Sequence, residues 1–135
     1  MYQTTNANPY LRNQVLSAKP EQLRLMLFDG AIRFLSTGRK GLESKDYDVS
    51  YTHISKAQKI VLELSSSLNP SVMPEVTEKL SALYTYIYRL LIEASTQRDT
   101  KPLDEAIRLL KYERETWAML IEKAATAQHA GSGAA

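Results

Sequence analysis

His53 and His129 are the only histidines of this 135-residue chain, and it has no cysteine. A di-iron or haem site in a helical protein needs inward ligands, typically Glu-x-x-His on two helices. Neither histidine belongs to such a motif, so no metal site is expected. The lack of cysteine rules out a disulfide framework and thiolate chemistry. Asp29 has no second carboxylate on its face and reads as a solvated or capping residue rather than a catalytic acid. Only His53-Ile54-Ser55-Lys56-Ala57 offers a reaction. An exposed imidazole could accept a phosphoryl group, with Lys56 neutralising its charge and a small residue leaving room for a partner. Yet Ala57 falls on the apolar seam of its helix and His53 only about 80° from it. A half-exposed histidine on an amphipathic helix is the preferred reading. No catalytic, cofactor-binding or metal-binding residue is assigned, and the chain is not expected to be an enzyme.

With chemistry set aside, the surfaces carry the argument. Seventeen Lys and Arg against fifteen Asp and Glu leave a net charge of +2. The basic residues are scattered, which predicts no nucleic-acid partner. Met1-Tyr2-Gln3-Thr4-Thr5-Asn6-Ala7-Asn8-Pro9 has no basic region followed by an apolar run and so does not read as a signal peptide. No apolar run approaches the roughly 20 residues that span a bilayer, so no membrane insertion is expected. These features predict one soluble cytosolic domain with a single core.

The longest apolar signal lies between Ser17 and Leu35. Leu23, Leu27, Gly30, Ala31 and Phe34 share one stripe at 100° per residue, and Leu25, Phe28, Ile32 and Leu35 share a second beside it. With Met26 the apolar arc spans roughly 240°, whereas an outer bundle helix needs only about 100°. The surplus must be covered by more of this protein or by a partner. Gly30 costs about 1 kcal/mol relative to Ala inside such a helix, which points to a close helix contact.

Punctuation divides the chain into four helices. Pro20 suits the first turn of helix 1, which runs to about Glu43. After Ser44-Lys45-Asp46, helix 2 covers about Tyr47 to Leu68 with a seam at Ile54, Ala57, Val61, Leu64 and Leu68. Two prolines, Pro70 and Pro74, break the pattern before helix 3, about Glu75 to Arg98, with its seam at Val76, Leu80, Leu83, Ile87, Leu90 and Ala94. Helix 4 begins near Pro102 or Leu103 and uses Leu103, Ile107, Leu110, Trp117, Ile121 and Ala124. Short connections between long helices predict an all-α, antiparallel up-down-up-down four-helix bundle. Residues 1–16 form an N-terminal arm, 17–127 the bundle, and 128–135 a tail without apolar periodicity that is expected to be disordered.

Two family resemblances follow from these residues. The His53 segment resembles the His-x-Leu-Lys-Gly segment of histidine phosphotransfer domains, with Ser55 and Ala57 in place of Leu and Gly. A longer resemblance covers roughly residues 2 to 121. Tyr10-x-x-Asn13-x-Val15-x-Ser17-Ala18-x-Pro20-x-x-Leu23-x-x-Met26-Leu27-Phe28-Asp29-Gly30-Ala31 looks like the N-terminal signature of the flagellin export chaperones, the FliS family. The similarity continues at Lys56-Ala57-Gln58-x-Ile60-x-x-Glu63-Leu64, at Leu80-x-x-Leu83-Tyr84-x-Tyr86-Ile87 and at Arg114-Glu115-Thr116-Trp117. Lys19 stands where the family usually has a capping Ser, and Thr85 where it often has Asp. This resemblance implies a cytoplasmic bundle that binds the disordered C-terminal helical segment of flagellin and prevents premature polymerisation. It also implies delivery of that cargo to the export gate of the flagellar type III apparatus, without a catalytic step or cofactor. A histidine phosphotransfer domain acting through His53, and a helical adaptor for another secretion cargo, are the alternatives.

Candidate contact residues are legible in the helical wheels. Tyr84, Tyr88 and Ile92 lie roughly 70°, 110° and 150° from the seam of helix 3, and Ile60 and Leu62 flank Val61 on opposite sides. A Tyr-rich flank suits helix-in-groove recognition, because the ring is broad and apolar with a polar tip. The family resemblance implies that the arm, with Tyr10 and Val15, lies in an apolar groove as a lid that cargo displaces, with a passively docked arm as the alternative. The expected cargo-binding residues are therefore Tyr10, Val15, Ile60, Leu62, Tyr84, Tyr88 and Ile92. Trp117 is read as core, and Arg114 and Glu115 as solvent-facing charges. Which flagellin is bound and the oligomeric state of the free protein are not encoded in these patterns.

Overall fold

The computed structural model describes residues 20–71 and 73–133, with side chains described to residue 127. Helix α1 spans Pro20–Glu43, α2 Tyr47–Ser66, α3 Pro74–Gln97 and α4 Thr100–Gly133. Each start has a local cause. Pro20 and Pro74 open their helices, where a missing N–H is harmless. Asp46 caps α2 by accepting a hydrogen bond from the Val49 N–H at 3.3 Å. Asp99 accepts from the Lys101 N–H at 3.0 Å in the first turn of α4. At the other end of that connection Arg98 adopts the left-handed conformation that terminates α3, and its N–H bonds the Ala94 carbonyl. Its guanidinium stacks over Tyr47 at 3.9 Å, tying the end of α3 to the start of α2.

The helices pack α1 on α2, α2 on α3, α3 on α4 and α4 back on α1. Antiparallel order follows from the pairs across each seam. Arg24 near the start of α1 bonds Ser67 beyond the end of α2. Against α4, Arg24 stacks on Trp117, Asp29 pairs with Arg114, and Arg39 pairs with Asp104. The bundle expected from the sequence is the observed architecture. The closest approach lies between α1 and α2. A Cβ on Gly41 would stand 2.8 Å from the Ser50 amide nitrogen, and one on Gly38 would stand 3.1 Å from Ile54 Cγ1. Gly30 differs from the expectation: a Cβ there would meet Ile60 Cδ1 at 3.4 Å, an ordinary contact. The close approach belongs to the C-terminal half of α1.

The core is built from Phe28, Ala31 and Leu35 of α1, Ile54, Ala57, Val61 and Leu64 of α2, and Leu103, Ala106 and Leu110 of α4. From α3 it takes Tyr84, Ile87, Leu90, Leu91 and Ala94, so the expected seam holds from Ile87 onward and the buried stripe is rotated toward Tyr84 before it. Val76 is exposed, and Leu80 and Leu83 are only half-buried. Helix α4 runs past residue 127, where the sequence reading placed the end of the bundle, to Gly133. Ala124, Ala125, Ala127 and Ala130 are strong helix formers, and no proline interrupts them. At 34 residues against 24, α4 is about 15 Å longer than α1 and projects past its start. The arm, residues 1–16, lies outside the described residues, as does Lys19.

Candidate functional site

Two flanks of α2 face different neighbours. Val49, His53, Lys56 and Ile60 lie toward α1, whereas Tyr51, Ser55, Gln58, Leu62 and Ser65 lie toward α3 by the 100° rule. The matching flank of α3 carries Ser81, Thr85, Tyr88 and Ile92. The register is set by Arg98 over Tyr47 at one end and by the Thr77 hydroxyl donating to the Asn69 carbonyl at the other. It places Tyr51 beside the turn of Ile92, and Leu62 beside the turn of Thr85.

Along this seam the apolar surface is incompletely covered. Tyr51 is 66% exposed, Leu62 53% and Ile92 44%, while Tyr88 is half-buried and packed on the core. Tyr51 and Leu62 are eleven residues apart, about 16 Å along the axis and within about 20° of the same face. Toward the α2–α3 connection the seam opens into a groove of about 810 Å³. Its lining includes the small residues Ser65, Ser81, Ala82 and Thr85, the apolar Leu68 and Tyr86, and the charged Glu78 and Arg89.

Tyr84 is not part of this surface. It is 1% exposed, with its ring 6.5 Å from Phe28 in the core. The Arg24 guanidinium donates to its hydroxyl at 3.5 Å, which lets the polar tip be buried. Burial pushes the phenol up, against the opposing charge of Arg24. Ile60 is half-buried on the α1 flank, apart from the α2–α3 seam. Tyr10 and Val15 lie outside the described residues. The expected set therefore divides: Leu62, Tyr88 and Ile92 share one seam, Ile60 borders another, and Tyr84 supports the core between the helices.

Arg114 and Glu113 were missed or misplaced by sequence reasoning, while His53 is half-buried as expected. Arg114 is half-buried rather than solvent-facing, and it grips Asp29 through two hydrogen bonds, at 2.9 and 3.4 Å. Glu113 is 8% exposed, and burial pushes its carboxyl up, partly offset by Arg24. Its position was readable, since it lies three residues after Leu110 and four before Trp117, on the helix seam. His53 has its Nδ1 2.8 Å from the Val49 carbonyl oxygen and its ring tilted against Phe34 at 6.1 Å. Its imidazole is engaged within the fold. Among the described residues, no group of three His, Asp or Glu side chains is gathered that could hold a metal ion, and no helix is long and apolar enough to cross a membrane.

Similarity to known proteins gives the family of the chain. The family described as Flagellar protein FliS matches residues 1–124. The flagellar secretion chaperone FliS of Bacillus subtilis is 31% identical, over 95% of this chain and 97% of the relative. That of Salmonella typhimurium is 33% identical, over 92% and 96%. The FliS chaperone of Escherichia coli is 30% identical over 79% of each chain. With the match running from the first residue into the last helix, the chain belongs to the FliS family of flagellar proteins.

Proposed function

We propose that this protein is a cytosolic export chaperone for flagellin. It binds the C-terminal helical segment of the cargo before assembly, prevents premature polymerisation and hands the cargo to the flagellar type III export gate. Binding alone performs the task, with no catalytic step and no cofactor. The observation that carries this reading is the α2–α3 seam. In a chain of this family, Tyr51, Leu62 and Ile92 stand exposed along a seam that leads to an open groove lined in part by small residues. Covering these side chains with the apolar face of a cargo helix would stabilise both partners. Leu62, Tyr88 and Ile92 are assigned to direct contact on this seam, and Ile60 to a contact on the neighbouring α1–α2 seam. Tyr84 acts from beneath by fixing α3 against α1 and α4. Tyr10 and Val15 of the preceding arm complete the assignment, as a lid that cargo displaces. The names of the relatives, flagellar secretion chaperones, support the same reading.

Co-expression with the host's flagellin tests it. The two proteins should co-purify when flagellin is intact and separate when its C-terminal segment is deleted. Equal recovery of both flagellins would overturn the assignment of the cargo segment.

A further inference from the structure

A second surface lies on the opposite flank of α2. Phe34 of α1 is half-buried at the α1–α2 seam, and two cations approach its ring. The Lys56 ammonium is 5.4 Å and the Arg33 guanidinium 5.9 Å from the ring centroid. Lys59 follows Lys56 by three residues, close to one turn further along α2. Among the described residues, Arg33, Lys56 and Lys59 form no ion pair, whereas Arg39, Arg108 and Arg114 each hold a carboxylate. The carboxylates within reach are committed or idle: Asp29 serves Arg114, and Glu63, one turn past Lys59, pairs with none of the three cations. Stacking on an aromatic face does not neutralise a cation. Two like charges are thus held on one ring, and neither Asp29, one turn before Arg33, nor Glu63, one turn after Lys59, forms an ion pair with them. Gly30, one turn before Phe34 on α1, is buried under Ile60 and Arg33, with Ile60 Cδ1 3.4 Å and Arg33 Nη2 3.8 Å from the place of its missing Cβ.

We propose that this Phe34-centred face is a docking surface for an acidic helical segment of a partner protein, separate from the α2–α3 cargo seam. Carboxylates one turn apart on such a segment would meet Lys56 and Arg33, and an apolar side chain between them would cover the part of the Phe34 ring that His53 leaves open. Charge complementarity selects the occupant, since two fixed and unpaired cations flank one apolar anchor. An anionic membrane fits less well. Nine large apolar side chains are exposed on the described surface, and none belongs to the α1–α2 seam, so this face has nothing to insert into a bilayer. Ile60, assigned above to cargo, borders this face, while the α2–α3 contacts of Leu62, Tyr88 and Ile92 do not enter the proposal.

The test uses the full-length chain, isotope-labelled, and a capped helical peptide of about 20 residues with Glu at i and i+4 flanking Leu. Its Gln-for-Glu counterpart and phosphatidylserine vesicles serve as the other arms. The acidic peptide should shift the Phe34 ring, Arg33 Nε–H and Ile60 methyl resonances saturably, and binding should weaken about fivefold or more as salt is raised past physiological strength. The double substitution Arg33→Gln with Lys56→Gln should remove the shifts, and Lys111→Gln, on the exposed face of α4, should leave them. Equal binding of the Gln peptide, shifts confined to other faces, or binding of vesicles in preference to the acidic peptide would overturn the proposal.

Discussion

Leu62→Ala separates recognition from folding at the α2–α3 seam. Complete burial of a leucine side chain is worth about 1.5–3 kcal/mol. Because Leu62 is 53% exposed in the free protein, about half of that remains available to a partner. Truncation should therefore weaken flagellin binding by about 1 kcal/mol, roughly fivefold in dissociation constant. Ile92, at 44% exposure, should behave similarly. The folding cost of either truncation should be near 1 kcal/mol, because only the inner half of the side chain leaves the core. Tyr84→Ala is the contrast. Its ring is fully buried against Phe28, so removal should cost about 3–5 kcal/mol of stability. Paired urea melts and binding isotherms for the three variants, at a temperature where all are folded, make the comparison. The reasoning fails if Leu62→Ala and Ile92→Ala both bind flagellin as tightly as the wild-type protein.

Gly41→Ala should destabilise the bundle by about 1–3 kcal/mol in denaturant melts, because its Cβ would stand 2.8 Å from the Ser50 amide nitrogen and 2.9 Å from the Asp46 carbonyl oxygen. Gly30→Ala, with only an ordinary contact to Ile60, should instead stabilise by up to about 1 kcal/mol through helix propensity. Burial raises the Glu113 carboxyl, so the folded state holds its proton at pH values where the unfolded chain has released it. Its contribution to stability is present below the ordinary carboxylate value and falls as pH rises through the raised one. Glu113→Gln should therefore be more stable than wild type at neutral pH, with the advantage vanishing near pH 4 in a pH series of melts. His53→Gln should leave flagellin affinity at its wild-type value by calorimetry, since the ring faces Phe34 rather than the α2–α3 seam.

The helix pattern was legible because it rests on local rules. Prolines at 20, 70 and 74, the capping Asp46 and the periodic seam of α2 fix the elements to within a few residues, and Ile54, Ala57, Val61 and Leu64 are buried as their spacing demands. The rotation of α3 was not legible. Leu83 and Tyr84 are adjacent and both apolar enough for a core. Tyr84 wins because Arg24, sixty residues away, provides a partner for its hydroxyl. Arg114 looked solvated for the same kind of reason, as its partner Asp29 lies on another helix. The α2–α3 seam was half legible. The wheel put Leu62, Tyr88 and Ile92 off the core stripes of their helices, but the groove is lined from two helices and belongs to neither pattern alone.

Calorimetry of this chain with the isolated C-terminal segment of the host's flagellin, repeated at several temperatures, tests the central claim most directly. The account predicts one-to-one binding, a gain in helicity of the segment by circular dichroism and a negative heat-capacity change from apolar burial. No heat of binding, together with no co-elution with full-length flagellin, would contradict it.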